Sequence, residues 1–137
     1  MKFEDLYIGL SASLKKVFRL EDVEKFALLS EDMNPIHLSE EFSAKTPYKR
    51  PIVHGFLYGS MISSILANQV PGPGSIYLYQ ELNFKAPVFH GDEVIATVKV
   101  FELKLDKRII KLDTFCHNSL GIEVLSGVAI IKLLENE

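Results

Sequence analysis

A chain of 137 residues, 47% hydrophobic and 24% charged, has the size at which one compact domain buries one core, so residues 1–137 are expected to form a single domain. A net charge of −3 and a pI near 5.8 leave no basic face for nucleic acid or an anionic membrane, and an anionic ligand has to be met by a few Lys, Arg or backbone N–H groups. The lone Cys116 cannot form an internal disulfide, and neither Cys-x-x-Cys nor His-x-x-x-His spacing occurs, so the sequence argues for neither an oxidising compartment nor a zinc site.

The first residues, Met1-Lys2-Phe3-Glu4-Asp5-Leu6, lack the basic-then-apolar order of a signal peptide, and a cytoplasmic protein is expected. Ser13 to Leu20 reads as an extended segment. Glu21, Asp22 and Glu24 favour a helix N-terminus, and Val23, Phe26 and Ala27 recur near the helical period, which predicts a short amphipathic helix from Glu21 to about Ser30. Pro35 fixes its own φ and disfavours helix at Asn34, so Asp32 and His37 are expected on a loop. Ser39 can cap a second short helix through Glu40, Glu41 and Phe42, ahead of a polar loop from Lys45 to Pro51.

No Asp, Glu, Lys or Arg occurs from Pro51 to Gln80. Proline and glycine cut that stretch to about 16 residues, which include three serines and fall short of the roughly 20 apolar residues of a membrane span. It reads instead as a buried helix from His54 to Gln69, apolar around most of its circumference. Gly55, Gly59, Ser63 and Ala67 fall on one line along it, flanked by Ser60 and Ser64. That small-residue stripe suits close packing against a sheet or partner as well as it suits a ligand channel. Beyond Pro71-Gly72-Pro73-Gly74, four alternating segments follow: Ser75–Lys85, Glu93–Leu105, Arg108–His117 and Ile122–Leu134. Short turns join them, so an antiparallel meander wrapped around the helix is expected, and Cys116 reads as a small buried hydrophobe within it.

The chemistry concentrates before the buried helix. Asp32 and His37 pair an acid with an imidazole whose ordinary pKa, about 6.5, suits proton transfer near neutrality. Asn34 organises the segment by bonding local backbone in an Asx-type turn. Taken alone the pattern is weak, because Asp-x-Asn-Pro turns and surface histidines are common. His54-Gly55 strengthens it: free N–H groups at a helix start hold a developing oxyanion, and Gly55 lets a carbonyl oxygen approach. His54 itself is expected to be a first-turn residue bonded to neighbouring backbone.

Asp32-x-Asn34-Pro35-x-His37, Arg50-Pro51-Ile52-Val53-His54-Gly55, Pro71-Gly72-x-Gly74-Ser75-Ile76-Tyr77 and Phe84-Lys85-x-Pro87-Val88-x-x-Gly91-Asp92-Glu93, in that order, resemble the (R)-specific enoyl-CoA hydratases and the wider MaoC-like dehydratases. The resemblance implies an α+β hot-dog fold, an antiparallel sheet wrapped around one long helix, and a homodimer with joined sheets. It implies that Asp32 and His37 activate water for addition to a trans-2-enoyl thioester carried on CoA or acyl carrier protein, that the Gly55 N–H stabilises the thioester oxygen, and that no metal or redox cofactor takes part. Gly59, Ser60, Ser63 and Leu66 become the expected wall of an acyl pocket, and Lys45, Lys49, Arg50 and Lys85 the nearest cations for carrier phosphates. Many members carry Gly where Glu31 stands. A dehydratase of 3-hydroxyacyl or branched hydroxyacyl chains, or a non-catalytic acyl-thioester binding module, remain the competing readings.

Overall fold

A computed structural model describes residues 1–135. After a turn of 3-10 helix at Phe3–Asp5, strand β1 (Ser11–Val17) leads into helix α1 (Leu20–Ser30). Two very short helices follow, α2 (Pro35–Leu38) and α3 (Glu40–Ala44), and then the long helix α4 (Gly55–Asn68). The remainder is strand: β2 (Ser75–Gln80), β3 (Asn83–Phe84), β4 (Glu93–Lys104), β5 (Ile109–Asn118) and β6 (Glu123–Leu133).

The alternation seen in the sequence is the alternation of burial. Val94, Ala96, Val98 and Val100 of β4 and Ile110, Leu112, Thr114 and Cys116 of β5 are buried. Against the sheet α4 lays Tyr58, Met61, Ile62, Ile65 and Leu66, spaced so that they share one helix face. Burial of each such Ile, Leu or Met is worth about 1.5–3 kcal/mol before the entropy of ordering it.

Four expectations are corrected. His37 does not lie on a loop but in α2, a single turn that forms because Pro35 is preset for the first helical position and the Asn34 side chain caps it, accepting from the Ile36 N–H. The expected strand Ser75–Lys85 is broken into β2 and β3, both paired with β6. It breaks where Glu81 crosses Gly127: a Cβ added at residue 127 would lie 2.6 Å from the Glu81 carbonyl carbon. The strands do not form a meander in chain order either, because the sheet runs β1-β4-β5-β6-β2, which puts β2 on the far side of β6 and β1 beside β4. Helix α4, finally, is not enclosed on all sides in the single chain: Ser60, Ser63 and Ala67 are exposed and Phe56 is 70% exposed.

Candidate active site

The site is assembled where α1 hands over to α2. Helix α1 ends on Glu31, whose φ of +64° lies in the left-handed region that glycine adopts without strain. Ser30 Oγ donates back to the Phe26 carbonyl (2.7 Å) and accepts the Asp32 N–H (3.2 Å). The Asp32 carboxylate accepts the Asn34 N–H (3.4 Å), and Asn34 Oδ1 accepts the Ile36 N–H (3.2 Å). These local bonds place Asp32, exposed, one short loop before the half-buried His37.

His37 Nδ1–H donates to the Ile52 carbonyl at 2.9 Å, which leaves Nε2 of the neutral ring as a lone pair able to accept a proton. Ile52 is a firm anchor: its N–H donates to the Ile36 carbonyl (3.1 Å) and it forms an antiparallel bridge with Phe89. From the same segment His90 Nε2–H donates to the His37 carbonyl at 2.9 Å. Burial draws the His37 pKa below 6.5; the Ile52 carbonyl and the Asp32 charge oppose that shift, and His54 and His90 add to it. A ring nitrogen of His37, one of His54 and a carboxylate oxygen of Asp32 lie within 4.8 Å of one another, a gap that one water spans between Asp32 and His37.

Gly55 opens α4 beside them. The Leu57 and Tyr58 N–H groups bond the His54 carbonyl, while the N–H groups of Gly55 and Phe56 precede any helical acceptor and remain available to an incoming oxygen. His37, Tyr48, Gly55, Phe56, Phe84 and Lys85 line a cleft of about 430 Å³. A second groove of about 560 Å³ lies along α4, lined by Gly59, Ser60 and Ser63 with Tyr77. Phe56 and Phe84 line both hollows. Leu66 does not line this groove; it is buried in the core beneath it. Of the expected phosphate contacts, Lys85 pairs with Glu123 at 2.8 Å and Arg50 stacks on Phe89 at 3.9 Å.

Sequence reasoning missed the links between these pieces. His54 was expected to bond adjacent backbone, yet its Nε2–H reaches the Asp32 carbonyl at 3.0 Å. The apolar run after it signals burial, but nothing local signals the partner. His90 and the Ile52 carbonyl carried no signal at all.

Residues 10–115 match the family model described as a MaoC like domain. The chain belongs to the MaoC-like family. It is 48% identical to the "(R)-specific enoyl-CoA hydratase" of Aeromonas caviae over 97% of this chain and 99% of that one, and 46% identical to the "3-hydroxybutyryl-CoA dehydratase" of Methylorubrum extorquens over 98% and 85%. A solved structure of the A. caviae (R)-hydratase superposes with a TM-score of 0.93, covering 96% of this chain and 99% of that chain. The fold is the α+β hot-dog fold of the MaoC-like proteins, an antiparallel sheet with α4 packed against it. Glu31, at a positive φ, costs some backbone strain where glycine would not, and the Asp32–His37 pair beside it is intact.

Proposed function

We propose that this MaoC-like protein is an (R)-specific enoyl-CoA hydratase, a hydro-lyase that adds water to trans-2-enoyl thioesters and, in reverse, dehydrates (R)-3-hydroxyacyl thioesters. The observation that carries the reading is the spacing of Asp32 and His37, within 4.8 Å of one another, beside a cleft lined by the start of α4. A water held between them loses a proton to His37 Nε2 or Asp32 as its oxygen forms a bond to C3. The C2–C3 π electrons move onto the thioester oxygen, where the Gly55 N–H opposes the developing charge. The enolate then collapses and C2 takes a proton, so that one water is consumed and no electrons are gained or lost. Asn34 keeps the pair in register, and the groove at Gly59, Ser60 and Ser63 receives the acyl chain.

The test is direct. Asp32→Asn and His37→Ala should each lower water addition to crotonyl-CoA by about 10²–10⁴ with the circular dichroism spectrum unchanged; near-parental rates in both would overturn the proposal. Parallel rates on CoA and acyl-carrier-protein thioesters decide the carrier.

The same reading takes residues 1–137 as one domain, supported by the single core shared by α4 and the sheet. It takes the protein as a homodimer joined through β2, and as cytoplasmic. No helix among the described residues is long and apolar enough to cross a membrane, and the one cysteine is buried and unpaired.

A further inference from the structure

His54 is 1% exposed and takes no part in the proton transfers above. It stands at the position that caps α4, yet its side chain bonds none of the helix N–H groups. Its Nε2–H donates instead to the Asp32 carbonyl, 22 residues earlier, at 3.0 Å. Its ring lies on that of His37, centroids 3.8 Å apart and planes 28° from parallel, and packs at 66° against Phe26 with centroids 4.9 Å apart. Nδ1 of the same ring is buried and has no hydrogen-bond partner.

Two simpler explanations fail on this geometry. A metal held by Asp32, His37 and His54 needs lone pairs that converge about 2.1 Å from one ion, whereas His54 Nε2 is already spent on a carbonyl and near-parallel rings direct their lone pairs along near-parallel planes. A purely structural tie to Asp32 needs only an amide donor, and would not call for an aromatic face laid on His37. What imidazole alone combines at this volume is a flat face under His37 and a donor at its rim.

We propose that His54 is a positioning residue for the catalytic pair: its Nε2–H anchors the Asp32 backbone while its ring face sets the orientation of His37 toward the shared water. This rests on the hydration reading of Asp32 and His37. One side chain thereby links the two halves of the site, the loop after α1 and the start of α4, and a shift in either is transmitted to the other through it. The groups that face His37 are Asp32 from the loop, His54 from the start of α4, and His90 and the Ile52 carbonyl from the segments beside it. Replacing His54 therefore also removes one of the influences that hold the His37 pKa down.

The experiment uses the full chain and the variants His54→Phe, which keeps the face and loses the donor, and His54→Gln, which keeps a donor and loses the face. Parent and variants are assayed on crotonyl-CoA, and the His37 titration midpoint is followed by imidazole NMR. Expected in both variants are a kcat lowered about ten- to a hundredfold with KM within about twofold, and a His37 midpoint raised above the parent's. A folded variant with the parental kcat and midpoint overturns the inference. If the parent does not hydrate crotonyl-CoA, the hydration reading fails, and the midpoint alone decides: unchanged in both variants, it overturns the role of His54. Should phenylalanine prevent folding, glutamine carries the same two readouts.

Discussion

At the residue scale the decisive detail is which nitrogen of His37 is free. Donation from Nδ1 to Ile52 leaves Nε2 as the nitrogen for the proposed base role, and a base works only while unprotonated. Burial holds its pKa below 6.5, so the ring stays neutral to a lower pH than an exposed histidine does. The acid limb of kcat/KM against pH is accordingly expected below pH 6.5; a limb centred above it would contradict the buried, Ile52-anchored imidazole. Gly55 makes a second case. A Cβ there would fall 2.8 Å from Phe84 Cδ1 and 2.9 Å from Cζ, so Gly55→Ala must displace the ring that lines both hollows. The half-exposed Phe84 can swing aside, which keeps the stability cost near the low end of overpacking, about 1 kcal/mol. The geometry of the cleft is less forgiving, and kcat/KM on crotonyl-CoA should fall at least about tenfold. A melt and a rate measurement on the same sample separate the two effects.

At the element scale the smallest helix matters most. Four residues cannot sustain a helix by propensity; α2 exists because Asn34 caps it and Pro35 starts it. Asn34→Ala removes the acceptor for the Ile36 N–H, and the loss of such a cap costs about 1 kcal/mol. Because His37 rides on that turn, activity should fall further than the melting temperature implies, as rate and melt together would reveal. Helix α2 was not legible in the sequence because Pro35 reads as a helix breaker as readily as a first-turn residue, whereas α3 shows its Ser39 cap and α1, α4, β4, β5 and β6 run long enough for their periods to be read. Sheet order was not legible, because the neighbours of β4 are set by pairings such as Ser11 with Lys99, far apart in sequence. Asp32, Asn34 and His37 could be picked out because they are near in the chain. The bonds from His54 and His90 end on backbone carbonyls 22 and 53 residues away, and a carbonyl is present at every position.

At the scale of the whole molecule the unfinished feature is β2. It is the edge of the sheet beyond β6, and Ile76, Tyr77, Leu78 and Tyr79 are 41–51% exposed along it. Edge strands of isolated proteins are ordinarily guarded by Lys, Pro or a bulge that turns the edge away. Ser75–Gln80 contains no charge and no proline, and its one irregularity, at Tyr77/Tyr79, leaves those side chains outward. Beside it, the exposed Phe56 and the small residues of α4 extend the apolar surface. A second copy related by a two-fold axis would cover this surface with its own, β2 against β2, and close the sheet edge without exposing another. The parent should therefore sediment at about twice the 15.5 kDa chain mass. Leu78→Lys, which places a charge on each copy across the axis, should move that species toward the monomer. Tyr77 of the same strand lines the groove along α4, so the dissociated form should lose activity on longer enoyl chains first, and rates should recover as protein concentration rises. A parent that sediments as a monomer at micromolar concentration, or a Leu78→Lys variant that stays dimeric, would place the interface elsewhere.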